Sequence, residues 1–289
     1  MPQNSCSISK YMGYLSVVGQ LIRRDLRVFK EEFWGKLIDT AILLFTTVTI
    51  FTYFLPSYGL ASDYGPFIFI GVVAGFGFFE VIGKVSLMIA DLEGDRTILY
   101  TLSLPIPSWL VFVYIAVSWA LVASIIALLM FPLGKLVLLS QFDLGKINWL
   151  KLLAIFLAGN LFFGFFALWL ASVLKKMGSI SHLFVRVVNP MYSFGGWLYS
   201  WESVYKISPA IGYAHLVNPL LYVMEGMRAA TLGQEGYLPF WFSLVGISAF
   251  TALFGWDAVR RLQKRLDCVT PAVQRKYRNS EMAENQSLA

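Results

Sequence analysis

Apolar residues in this chain fall into long unbroken runs rather than alternations or narrow stripes. Leu37–Leu55, Pro66–Ala90, Trp109–Phe131, Trp149–Leu174, Leu183–Trp201 and Leu238–Val259 each come close to the length of a membrane crossing, for which a helix needs about 20 apolar residues. Six transmembrane helices are therefore predicted. Ahead of the first run, Leu15, Val18, Ile22, Leu26, Phe29 and Phe33 recur on one helical face, while Arg23, Arg24, Asp25, Arg27, Lys30, Glu31 and Glu32 occupy the rest. That pattern predicts an amphipathic helix, lying at the membrane interface or against a partner subunit.

A different pattern separates the last two runs. Asn218 suits an N-cap, Pro219 the first helical turn, and Gly233 the left-handed residue that ends a helix. The enclosed stretch reaches only about 21 Å at ~1.5 Å per residue, against about 30 Å of hydrocarbon. Upstream, Ser208 and Pro209 begin another short apolar piece that ends near Val217. Two broken half-helices side by side predict a re-entrant hairpin, tolerated only where protein or a wet cavity covers its backbone. This points to a transport pathway, with Asn218, Pro219, Glu225 and Arg228 as its candidate residues. Glu225 and Arg228, three apart, can also simply pair with each other.

The expected fold is an all-α integral membrane protein with six transmembrane helices, an N-terminal amphipathic interfacial helix and a broken re-entrant helical hairpin before the last span. Residues 1–36 form the cytoplasmic amphipathic segment, 37–259 the membrane domain and 260–289 a cytoplasmic basic tail. Composition agrees: 57% of the 289 residues are hydrophobic and 14% charged, where a soluble domain carries about 25% charged residues. The first 36 residues hold six Lys or Arg and no signal-peptide pattern, and Arg260, Arg261, Lys264, Arg265, Arg275, Lys276 and Arg278 come after the last run. Both termini are thus expected on the cytoplasmic side of the cytoplasmic (inner) membrane. The net charge of +6 is spread around the spans rather than along one face, so no nucleic-acid partner is expected. Lys135, Lys146 and Lys151 fall in an outer loop, against the positive-inside trend.

Catalytic chemistry has little to stand on. The stretch from Gly77 to Lys84 misses the phosphate-loop pattern by one residue and has Val85 after its lysine. His182 and His215 lack carboxylate or thiol partners at ligand spacing, and Cys6 and Cys268 fall in the two tails, so neither a metal site nor a disulfide is expected. Asp39, Glu80, Glu225 and Asp257 lie on different segments, and a lipid-modifying enzyme would need them to converge. Glu80 and Lys84, four apart in the second run, can pair and act as an ion relay, or Lys84 can snorkel to the interface. Gly71 and Gly75 have the spacing of close helix packing, with a hinge as the other reading. Asn160 predicts an interhelical hydrogen bond, and Pro190 a kink. The aromatic residues from Tyr192 to Tyr205 predict an interfacial belt, or a platform for a sugar. Between the second and third runs, Asp91 to Pro105 reads as a connecting loop or a short helix with Leu92, Ile98, Leu99 and Leu102 on a docking face.

The segment Asn218-Pro-Leu-Leu-Tyr-Val-Met-Glu-Gly-Met-Arg-Ala-Ala, with Gly233 after it, resembles the signature of type-2 ABC exporter permeases. The basic helix with Arg24-Asp25-Leu26-Arg27, the six spans and the polar turn after the second span extend the likeness over nearly the whole chain. The resemblance implies a transmembrane permease subunit moving an amphiphile, such as a lipid-linked glycan, lipid or drug. It implies a second permease copy, identical or paralogous, and a separate ABC ATPase that holds ATP and Mg, with no cofactor on this chain. The turn formed by Glu93, Gly94, Asp95, Arg96 and Thr97 would couple to that ATPase; relatives commonly show Gly-Thr-Leu-Glu there, and this chain separates its glycine and threonine. From another class, an ion-coupled secondary carrier using Glu80 and Lys84 is the alternative, although the two halves show no convincing internal repeat.

Overall fold

In the computed structural model, residues 3–59, 64–94, 98–174 and 177–267 are described, and all the regular structure among them is helical. The elements are α1 (Gln3–Thr49), α2 (Tyr64–Glu93), α3 (Ile98–Leu102), α4 (Ser108–Leu138), α5 (Trp149–Val173), α6 (Ile180–Leu183), α7 (Asn189–Ser193), α8 (Trp201–Ile207), α9 (Pro209–His215), α10 (Pro219–Thr231) and α11 (Phe240–Asp267). Five of these stretches are long and apolar enough to cross a membrane: Gly13–Tyr58, Tyr64–Glu93, Ser108–Leu138, Trp149–Val173 and Phe240–Arg265. The chain is a multi-pass, all-α membrane protein by that measure.

The amphipathic segment and the first run form one uninterrupted helix from Gln3, so no break separates residues 3–36 from the first span. Its inward stripe also differs from the expected one. Leu15 and Leu26 are exposed, whereas Phe29, Thr40, Leu44 and Val48 are buried, and on the same stripe Asp25 bonds to α4 and Lys36 to α2. Asp25 accepts hydrogen bonds from the hydroxyls of Tyr114 and, at 2.6 Å, Ser118, and Arg24 donates to Tyr114 at 3.2 Å. Near the other end the Tyr53 hydroxyl donates to the Val137 carbonyl at 2.8 Å. These contacts make α1 and α4 run parallel, with Asp25 beside the start of α4.

Residue pairing sets the remaining directions. Lys36 pairs with Glu80, and Thr52 packs on Gly65, so α2 is antiparallel to α1. Phe131 meets Trp149 while Ala116 meets Gly164, so α5 is antiparallel to α4. The Trp169 indole donates to Asp257 at 2.8 Å, and Arg265 donates to the carbonyls of Ala171 and Leu174, aligning α11 with α5. One end of the bundle thus carries α3, the start of α4 and the ends of α5 and α11.

The run Leu183–Trp201 is not one long helix. A π-helical turn at Phe184–Val188 precedes Asn189-Pro190, and α7 stops at Ser193. Proline removes a backbone donor and releases carbonyls one turn back, and Gly196 then turns the chain at φ +83°, a left-handed conformation that side chains resist. Helical structure continues through Pro190 to Ser193, so the break falls at Gly195 and Gly196 rather than at the proline.

Glycine permits the closest approaches. A Cβ on Gly71 would meet Arg228, one on Gly75 would come within 2.6 Å of Tyr192, and one on Gly77 would strike Asn160. Because α2 is continuous through all three, they serve packing rather than a hinge. Asn160 donates to Phe156 of its own helix at 2.9 Å, and its Oδ1 packs against Gly77 without a hydrogen-bond partner. The interhelical hydrogen bond expected for it is not formed.

Gly164→Ala is expected to destabilise the protein by about 1–3 kcal/mol, the usual cost of overpacking, because the added methyl meets the Ala116 backbone, whose carbonyl carbon lies within 3.0 Å of it. Gly83→Ala, with nothing within 4 Å, should leave thermal unfolding in detergent unchanged. Equal melting temperatures for the two variants would contradict this packing.

Candidate functional site

The thirteen residues of α10 are all buried, and this short helix packs against α2, α5 and α11. It rises from the middle of α5, where Val223 packs on Gly159, past Ile155 at Gly226, to the start of α5, where the Asn148 amide donates to the Ala230 carbonyl at 3.0 Å. The end of the bundle opposite α3 is therefore its upper limit. Asn218 caps it as its side chain predicts: Oδ1 accepts from the Leu220 amide at 3.1 Å, and Nδ2 donates to the Met191 carbonyl at 2.7 Å. Pro219 occupies the first turn and is buried.

Arg228 organises this region. Its guanidinium is fully buried and donates to the carbonyls of Gly196, Trp197 at 2.9 Å, Tyr199 at 3.5 Å and Phe67 at 3.4 Å. Its carbon centre lies 3.5 Å from the Phe67 ring centroid, close enough for a cation–π contribution that strengthens when water is absent. Glu225, also fully buried, sits 3.6 Å from it across one helical turn, and its other oxygen accepts from the Leu238 amide at 3.1 Å. An isolated buried guanidinium would be prohibitive; here one carboxylate, four carbonyls and an aromatic face replace its water. Glu225 and Arg228 hold the loop after α7, the start of α2 and the start of α11 to α10. Tyr64 and Tyr237 flank this cluster, each stacked on Phe67. Tyr237, in the loop before α11, has its hydroxyl pushed above the usual tyrosine range by burial.

Sequence reasoning missed Tyr64, Phe67 and Tyr237, because nothing in their spacing ties them to Arg228. It also missed the Asp25 clamp, yet Tyr114 and Ser118, four apart in an apolar span, form a polar pair that calls for a facing partner. Aromatic residues expected at an interface divide into two groups. Tyr192 and Trp197 stack on each other at 5.3 Å and meet the exposed Phe79 of α2 and the half-buried Phe51, whereas Trp201, Tyr205 and Tyr213 form a separate ring cluster on α8 and α9. His215 is satisfied by Tyr199 at 3.0 Å and the Ile211 carbonyl at 2.8 Å.

At the α3 end, Glu93 is exposed, and Gly94 donates to the Ala90 carbonyl at 2.9 Å. Asp95, Arg96 and Thr97 lie outside the described residues, as does the tail from residue 268, including Cys268. Across the turn, Asp91 accepts from the Ile98 amide at 2.9 Å and so fixes the start of α3. Ile98 is buried, and Leu92, Leu99 and Leu102 pack on the core. The apolar side of α3 therefore faces the bundle rather than outward, and Tyr100 is the large residue left in the open.

Glu80 is paired with Lys36 of α1, not with Lys84. Asp257 is held by Arg261 at 2.6 Å and by Trp169, while Asp39 is exposed. Glu80, Glu225 and Asp257 thus take separate partners, and among the described residues no group of three His, Cys, Asp or Glu could hold a metal ion. Lys135, near the end of α4, donates to the Phe142 carbonyl, and Lys151, at the start of α5, lies 5.6 Å from the Phe240 ring centroid. Two of the three lysines expected in a loop between the third and fourth runs thus sit in helices with local partners.

Comparison with known proteins adds nothing to this geometry: no protein-family model and no curated protein matches the chain.

Arg228→Met is expected to cost about 3–5 kcal/mol, because it leaves the Glu225 charge and several carbonyls buried without a partner. Arg228→Lys should recover little of that, since an ammonium cannot span the same carbonyls. Denaturant unfolding of the purified variants measures both losses; an unchanged midpoint for Arg228→Met would contradict a structural role.

Proposed function

We propose that the chain is the permease subunit of a type-2 ABC exporter, working as a dimer with a separate ATPase and moving an amphiphile across the cytoplasmic membrane. The observation that carries this reading is α10, a helix of thirteen residues buried among the long helices and too short to cross about 30 Å of hydrocarbon. In this reading the fifth crossing is the continuous helical stretch of residues 177–193, at the short end of the lengths that can cross, and α9 with α10 is the re-entrant hairpin before the last span. A broken segment of this kind inside a membrane is accommodated where protein or a wet path surrounds it.

Coupling would pass through the exposed Glu93 and the short helix α3, which touches α4. Closure of the ATPase would push on that turn, and because α1 is clamped to α4 by Asp25 and to α2 by Lys36, the three helices would tilt together. The alternative of a carrier with a Glu80–Lys84 relay has less behind it, because Glu80 is engaged by Lys36.

Charge reversal by Glu93→Lys in the assembled transporter is expected to abolish cargo-stimulated ATPase activity and export, while the isolated ATPase keeps its basal rate. Normal export and normal stimulation would remove the turn from the coupling route. Cysteine labelling adds a topological check: a thiol at Gly233 should react with a membrane-impermeant reagent from outside the cell, and reaction only from the cytoplasmic side would overturn the placement of α10.

A further inference from the structure

Where α1, α2, α3 and α4 meet, at the α3 end, the bundle leaves a cavity of about 650 Å³. Part of its wall is greasy: Val28 of α1, Leu87 and Met88 of α2, and Ile115, Trp119 and Val122 of α4. The rest is polar, and most of it is already committed. Asp25 is saturated by Tyr114, Ser118 and Arg24, and Asp91 accepts from Ile98. Lys84 is the exception. It is half-buried, it lines the cavity, and its ammonium has no hydrogen-bond or ion-pair partner among the described residues. Two acidic residues, Asp25 and Asp91, line the same space, yet neither pairs with it.

We propose that this cavity binds an amphiphile with a phosphate headgroup, the phosphate sitting on Lys84 and the chain lying along Leu87, Met88, Trp119 and Val122. Lys84 stands nine residues before the end of α2 at Glu93, or about 14 Å along a helix axis, and its long side chain can extend toward the headgroups at that end. Tyr100 and Thr101 of α3 line the polar mouth and bring two further hydroxyl donors. Glu32, exposed at the rim, bars a second anionic group and leaves room for a positively charged one, so a zwitterionic headgroup is accepted as well as a singly charged one. A half-buried lysine without a counter-ion is costly in an apolar setting, and a bound phosphate removes that cost. The ligand would touch α3 and α1 together, placing an inner-leaflet molecule against the turn that the exporter reading assigns to coupling. The site itself rests only on the membrane location, not on that reading.

The test uses the purified full chain without an ATPase, with lipid binding counted by native mass spectrometry. Phosphatidylglycerol should be retained at one tight site per chain, and a diacyl glucoside without phosphate should not compete. Lys84→Ala should weaken that site about tenfold, the scale of one lost charge-assisted hydrogen bond, while Lys84→Arg keeps it. Val122→Trp, which fills the apolar end and leaves Lys84 in place, should weaken binding of the same probe and covers the case of a Lys84→Ala variant that does not fold. A polyprenyl phosphate binding more tightly than phosphatidylglycerol would assign the site to cargo; equal binding would assign it to a resident lipid. Undiminished affinity in Lys84→Ala, or equal competition by the glucoside, would overturn the proposal. Failure of the unaltered chain to stimulate a partner ATPase, with lipid binding intact, would count against the exporter reading alone.

Discussion

A guanidinium buried without water sets the terms for one half of this molecule. Arg228 has no solvent to fall back on, so each of its donors must find a protein acceptor, and those acceptors come from the broken segment after α7 and from α2. The broken backbone in turn has carbonyls that no helix can satisfy. Each problem answers the other: the loop at 196–199 supplies lone pairs, and the arginine supplies protons. Glu225 then balances most of the charge and, through the Leu238 amide, fixes where α11 begins. Such an arrangement adds little net stability compared with an apolar filling, but it tolerates no partial loss. It specifies one packing of an otherwise greasy and permissive set of helices.

Close approach is the second requirement, since lipid offers no hydrophobic drive for helix association. Gly71 lies against Arg228 and Trp197, Gly159 against Val223, and Gly226 against Ile155. These glycines let α10 sink between α2, α5 and α11 until the arginine reaches its carbonyls. A larger residue at any of them would lift the short helix before the polar contacts could form.

The long spans and the caps of α10 are legible in the sequence because each depends on neighbours along the chain. Run length and an Asn-Pro start act locally. Partner choice is not legible. Glu80 and Lys84 satisfy the spacing rule for a pair, yet Lys36 arrives from α1 and takes Glu80. The amphipathic pattern at the start reads as a surface helix, but the inward stripe runs through Asp25, Phe29 and Lys36, a polar and charged line that hydrophobic periodicity does not register. Leu92, Ile98, Leu99 and Leu102 do share one side of the turn, as their pattern implies, while the direction of that side depends on the bundle beneath it.

The continuity of α1 carries a mechanical consequence. A helix of 47 residues measures about 70 Å, more than twice the hydrocarbon thickness, so it must either lean steeply or stand well clear of the bilayer. Stiff and held at two heights along its length, it behaves as a beam on two bearings. A small rotation at the buried bearing sweeps the free arm through a much larger arc, and any body resting on that arm feels what the lipid-embedded portion does.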